Sequence, residues 1–122
     1  LLEAQPDNAA LLNNVAWVAG QLKDPKAIEY AEKANKLAPN QPAVMDTLGV
    51  LLVDQGDQAR GLVLLKEAVA LAPQQAMIRL NYAKALIKAG QKNEARSELD
   101  ELAKLGDKFT AQAEVTALLT GL

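Results

Sequence analysis

The 122-residue chain has no cysteine and no histidine. Disulfides, Cys/His zinc sites and histidine acid–base chemistry are thereby excluded. Aromatic residues are scarce, at 3% of the chain: one Trp, two Tyr and one Phe. Core volume must therefore come from Ala, Leu, Val and Ile, within a hydrophobic fraction of 50%. Small and aliphatic side chains suit closely packed helices. Excess positive charge is missing as well. The formal net charge is −2, which offers no electrostatic footprint for nucleic acid. Basic clusters of membrane-binding density are absent too. No apolar run reaches the ~18 residues that a bilayer span needs, and no signal-peptide pattern is visible. Phosphate-cradling Gly-rich loops, a Walker pattern and a Ser/Lys dyad are likewise absent. These absences point away from an enzyme. No catalytic residue, no cofactor-binding residue and no metal ligand set is assigned.

What is present is repetition. Pro6, Pro39 and Pro73 stand 33 and 34 residues apart, and the last two each close a Leu/Ala-rich stretch, Lys36-Leu37-Ala38-Pro39 and Ala70-Leu71-Ala72-Pro73. Self-similarity at this period means stacked helical hairpins, each burying its apolar face on its neighbours. Helices are expected over about 9–22, 25–37, 42–54, 58–71, 74–88, 92–104 and 108–120. Asn8 is expected to cap the first helix, and Asp24-Pro25 to restart the second as N-cap and N1 proline. Gly56 stops the third helix and Asp57 caps the fourth. Apolar residues recur at helical spacing along each segment: Leu12, Val15, Ala16 and Ala19 in the first, and Met45, Leu48, Gly49 and Leu52 in the third. Gly61 costs about 1 kcal/mol of helix propensity against Ala, which points to close helix packing.

Met45, Leu48-Gly49, Leu52, Gly56, Gly61, Leu65, Ala68 and Pro73 together resemble the tetratricopeptide repeat (TPR). A second copy carries Tyr82-Ala83, Leu86, Gly90, Ala95 and Leu99, and departs at Arg79, Leu102 and Asp107. Another carries Leu12, Val15-Ala16, Ala27, Ala34 and Pro39, with a turn one residue short and no Gly at the position that Gly56 and Gly90 hold. The resemblance implies an all-α, right-handed superhelix of three helix-turn-helix repeats plus a C-terminal capping helix. The expected limits are 6–39, 40–73 and 74–107 for the repeats and 108–122 for the cap. Residues 1–5 read as the tail of a preceding repeat, so the chain is expected to be part of a longer protein. A narrower resemblance rests on Leu-Asn-Asn-Val-Ala-Trp at 12–17, Asp24-Pro25, residues 27–34, Asp46-Thr47-Leu48-Gly49 and residues 85–122. These are similar to the C-terminal end of bacterial TPR lipoproteins of the PEP-CTERM/exosortase sorting system. That resemblance implies an envelope location and a link to exopolysaccharide and surface-protein sorting.

TPR superhelices present the first helix of each repeat on their concave face. At 100° per residue, Asn13, Trp17 and Gln21 lie off the packing stripe of the first helix. Asp46, Val50 and Asp54 hold the same places in the third, and Leu80, Lys84 and Lys88 in the fifth. These nine residues are the expected partner-binding face, for a protein or peptide. Trp17 reads either as an interface anchor or as packing against a neighbouring helix. Asp54 and Lys88 read either as an ion pair across the groove, at 0–1 kcal/mol, or as part of a charge-patterned surface. Asp46 and Asp54 are roughly 12 Å apart along the helix, too far for a glycosidase acid/base pair. Carboxylate-clamp residues are mostly missing, since the matching positions hold Asn13, Trp17, Thr47, Met77 and Asn81. Alternative roles are a structural end-segment of a longer superhelix, a homo-oligomerisation edge, or a glycan-stacking accessory through Trp17. Membrane insertion by this stretch is not expected.

Overall fold

Backbone hydrogen bonding along the chain is helical and local, and no strand occurs among the described residues. The computed structural model describes residues 8–122; the expected repeat tail at 1–5 lies outside them. Seven α-helices follow in order: α1 (Ala9–Gln21), α2 (Ala27–Leu37), α3 (Pro42–Asp54), α4 (Gln58–Leu71), α5 (Ala76–Lys88), α6 (Lys92–Ala103) and α7 (Gln112–Gly121). They pair as antiparallel hairpins, α1 with α2, α3 with α4 and α5 with α6, and successive hairpins stack. The all-α solenoid of three hairpins plus a terminal helix is as expected.

Caps and turns explain the punctuation. Asn8 caps α1, its Oδ1 accepting from the Leu11 N–H at 2.9 Å, which satisfies one orphan donor of the first turn. Each first helix closes with the same pair of backbone bonds. In α3, the Gly56 N–H donates to the Val53 carbonyl and the Asp57 N–H to that of Leu52. This is the Schellman arrangement, which requires a left-handed residue just past the helix. Gly56 (φ +97°) and Gly90 (φ +80°) supply it in the second and third repeats. Lys23 supplies it in the first, at φ +58°, with the same bonds to Gly20 and Ala19.

Two expectations about boundaries are corrected. Asp24-Pro25 does not start α2. Asp24 Oδ1 accepts from the Lys26 N–H at 2.9 Å and its carbonyl from the Ala27 N–H, so Asp24-Pro25-Lys26 forms a separate turn. The one-residue-shorter connection consumes the first turn of the helix, and α2 has 11 residues against 14 in α4. The terminal helix begins at Gln112 rather than at 108. A 3-10 turn, Gly106–Lys108, comes first, and Phe109 is extended and buried.

The interface of α3 with α4 is the most extensive. Gly49 and Gly61 meet at its centre. A Cβ on Gly61 would stand 2.7 Å from the Gly49 carbonyl oxygen and 2.6 Å from Val53 Cγ2. The helices approach closer than any side chain allows, which accounts for glycine inside a helix. Leu65 fills the adjacent space and is fully buried.

Candidate partner-binding groove

First helices touch one another directly, α1 with α3 and α3 with α5, whereas no comparable packing joins α2 to α4 or α4 to α6. The row α1–α3–α5 is therefore the inner side of the bend. Polar links stitch this side together. Lys88 Nζ pairs with Asp54 Oδ1 between α5 and α3, the ion pair anticipated from sequence. Lys84 Nζ pairs with Glu114 Oε2 between α5 and α7. Asn81 Nδ2 donates to both oxygens of Asp46, each at 3.1 Å. The Asp46 carboxyl is pushed up to about 6, because burial penalises the charged form more than the Asn81 bond favours it.

The inner side holds a pocket of about 330 Å³ lined by Trp17, Val50, Val53, Asp54, Asn81, Lys84, Ala85, Ile87 and Lys88. Five of the nine expected residues thus surround one depression. Its floor is apolar and its rim is charged. Trp17 contributes a 42% exposed indole, and Val50, its counterpart in the next repeat, is half-buried. The helical wheel did not single out Val53, Ala85 and Ile87. Val53 and Ile87 lie three residues beyond Val50 and Lys84, and that repeated offset is the signal for them.

The remaining expected residues fall elsewhere. Asp46 is half-buried, held by Asn81. Gln21 is exposed outside the pocket. Asn13 lines a separate hollow between α1 and the start of α3, with Ala10, Gln41, Ala43 and Val44. Its Oδ1 is buried without a hydrogen-bond partner. Leu80 is a correction. It is 0% exposed, in a cluster with Ala83, Leu99, Leu102, Phe109 and Val115. Helix α7 and the segment before it close over α5 and α6, so Leu80 belongs to the core and offers nothing to a partner.

On the outer side, Arg60 forks onto Glu32 with two 2.7 Å bonds, joining α4 to α2. Glu32 is held below its ordinary value, first by that hydrogen bond. Arg79 and Glu98 face each other between α5 and α6 at 3.6 Å, within ion-pair reach but beyond a hydrogen bond. Glu98 is partly buried against Arg79. No group of three or more acidic side chains suited to a metal occurs among the described residues. None of their helices is long and apolar enough to cross a membrane.

The family model described as the tetratricopeptide repeat matches residues 52–120. The chain belongs to the tetratricopeptide repeat family. Three curated relatives are similar to it over 93 residues at 37% identity: the "Transcriptional regulator HilA" proteins of Salmonella typhimurium, Salmonella typhi and Salmonella paratyphi A. The match covers 76% of this chain and 17% of each relative, so the chain spans about a sixth of their length. Among solved structures, "Crystal structure of MamA" superposes with a TM-score of 0.75 at 16% identity, covering 98% of this chain and 78% of the other. That likeness is one of fold. TPR folds serve as protein-interaction scaffolds, and this chain's architecture is of that kind.

Proposed function

We propose that this TPR chain is a non-catalytic scaffold that binds a protein or peptide along its inner face. Asn13, Trp17, Gln21, Asp46, Val50, Asp54, Lys84 and Lys88 line that face or support it. The observation that carries the reading is the pocket in which Trp17 and Val50 from two repeats meet Lys84 and Lys88 from a third. Exposed indoles in a partly desolvated hollow are characteristic interface anchors. The test is binding by the chain and by a Trp17→Ala/Lys84→Glu double variant to candidate partner proteins, read by titration calorimetry. Loss of binding by the variant, with helix content unchanged, is expected. Equal binding by both would remove the groove from the reading.

Two settings suit such a scaffold. The resemblance of residues 12–17, 27–34 and 85–122 to PEP-CTERM-associated lipoproteins supports a role in envelope sorting. The 37% identity to HilA over 93 residues supports a second setting, as the protein-contact part of a larger regulator. Fractionation of native cells with an antibody to this chain separates them: recovery with envelope membranes favours the first, recovery with the nucleoid or cytosol the second.

A further inference from the structure

The inner pocket carries two lysines, and each is already neutralised by a carboxylate of the chain itself. Lys88 is paired with Asp54 and Lys84 with Glu114. Both pairs are exposed, at 58% and 48% for Lys88 and Asp54 and 43% and 41% for Lys84 and Glu114. An acidic ligand would have to displace one of these carboxylates, exchanging one exposed ion pair for another with nothing gained. A basic ligand would meet Asp54 only by releasing Lys88. The wall that remains unpaired is apolar: Trp17, Val50, Val53, Ala85 and Ile87. Its volume of about 330 Å³ lies at the small end of ligand-binding hollows, which suits one large side chain rather than a whole helix.

Resting on the groove reading above, we infer that the Trp17 pocket receives one bulky apolar side chain from an uncharged stretch of peptide, and that the Asp54–Lys88 and Lys84–Glu114 pairs act as a neutral rim without attraction for acidic segments. Selectivity then comes from burial of apolar surface, which is non-directional and is not weakened by charge screening. Attraction between exposed charges would fade as ionic strength shortens the screening length.

The experiment is selection of a random eight-residue peptide library displayed on phage against the whole chain. Recovered peptides are then synthesised and titrated against the single tryptophan's emission. Expected winners share one Leu, Phe, Tyr or Trp and carry no net charge. Their affinity holds within about twofold as salt rises, and weakens at least about tenfold in Val50→Asp. Trp17→Ala, which alters an exposed side chain and leaves the core intact, loses binding of the same peptides when followed by anisotropy of a labelled peptide. Winners rich in Asp or Glu that shift Trp17 emission and fade with salt would overturn the neutral-rim inference while leaving the groove in place. Winners indifferent to Trp17→Ala and Val50→Asp, or no winners, would overturn the groove itself.

Discussion

Helices α1 and α3 hold the same place in successive repeats, have 13 residues each and have similar apolar content. Yet α3 buries eight residues and α1 three. The difference is in neighbours. Helix α3 packs against α1, α2, α4 and α5, whereas α1 packs mainly against α2 and α3 among the described residues. Leu51, in α3, lies over Gly20 of α1 and is 5% exposed. Val18, its counterpart in α1, is 55% exposed, and Leu22 is 76% exposed. A solenoid helix is therefore buried by what stacks on both its sides, and its own hydrophobicity is a poor guide to its accessibility.

The largest test of that contrast is a pair of truncations. Leu51→Ala is expected to cost about 2–5 kcal/mol, the range for buried Leu→Ala changes. Val18→Ala is expected to stay within about 0.5 kcal/mol, as for surface changes. Urea denaturation reads both. Similar costs for the two would mean that Val18 is covered in solution.

Asp46 and Asn13 are equivalent positions with different chemistry, and pH separates them. A rise from 3.8 to about 6 in the folded chain corresponds to about 3 kcal/mol. A raised carboxyl holds its proton more tightly when folded. Its stabilising contribution is complete below pH 3.8 and is lost as pH climbs towards 6. Asp46→Asn should remove this term. Variant and parent should differ increasingly in the variant's favour between about pH 4 and 6, by up to roughly 3 kcal/mol at neutrality. Denaturation midpoints at stepped pH values check this, and a pH-independent difference would count against burial as the cause.

The hairpin contacts also differ. Repeat one has Ala16 and Ala27, both buried, where repeat two has Gly49 and Gly61. Gly61→Ala gains about 1 kcal/mol of helix propensity but drives a methyl into the Gly49 carbonyl at 2.7 Å. Overpacking against backbone costs about 1–3 kcal/mol. A net loss of roughly 1 kcal/mol is expected from the two terms, read as a lower melting temperature. A gain would show that α3 and α4 can separate freely.

The smallest effect should come from Lys23→Gly, which gives repeat one the residue used by the other two. Left-handed backbone costs a non-glycine residue about 1–2 kcal/mol, partly offset by glycine's greater freedom when unfolded. A rise in stability of under about 1 kcal/mol is expected. Gly56→Lys should do the reverse. Matched thermal melts of the two variants test this, and identical shifts would contradict it.

Much of the architecture was legible because its causes are local. Asn8, Gly56, Asp57, Gly90 and the apolar spacing act within a few residues, and the helices lie where those signals put them. The misplaced start of α7 has a different origin. Phe109 is apolar and lies just ahead of the helical stretch, but it is buried in the cluster that holds Leu80 and Leu102 rather than by belonging to the helix. The candidate site was legible in part. The wheel gathered Trp17, Val50, Asp54, Lys84 and Lys88 onto one face. It could not tell that Leu80, on the same face, would be covered by α7.

By itself the sequence determined the repeat period, the hairpins and the caps at Asn8 and Asp57, because the period is written in the spacing of like residues and a cap acts within three residues of itself. Only the tertiary structure decided which of those residues stay accessible, which charges are cancelled and where Asp46 titrates. Each of these depends on side chains from another helix hairpin or from the terminal helix, distant in the chain, as Asn81 is from Asp46 at a separation of 35 residues.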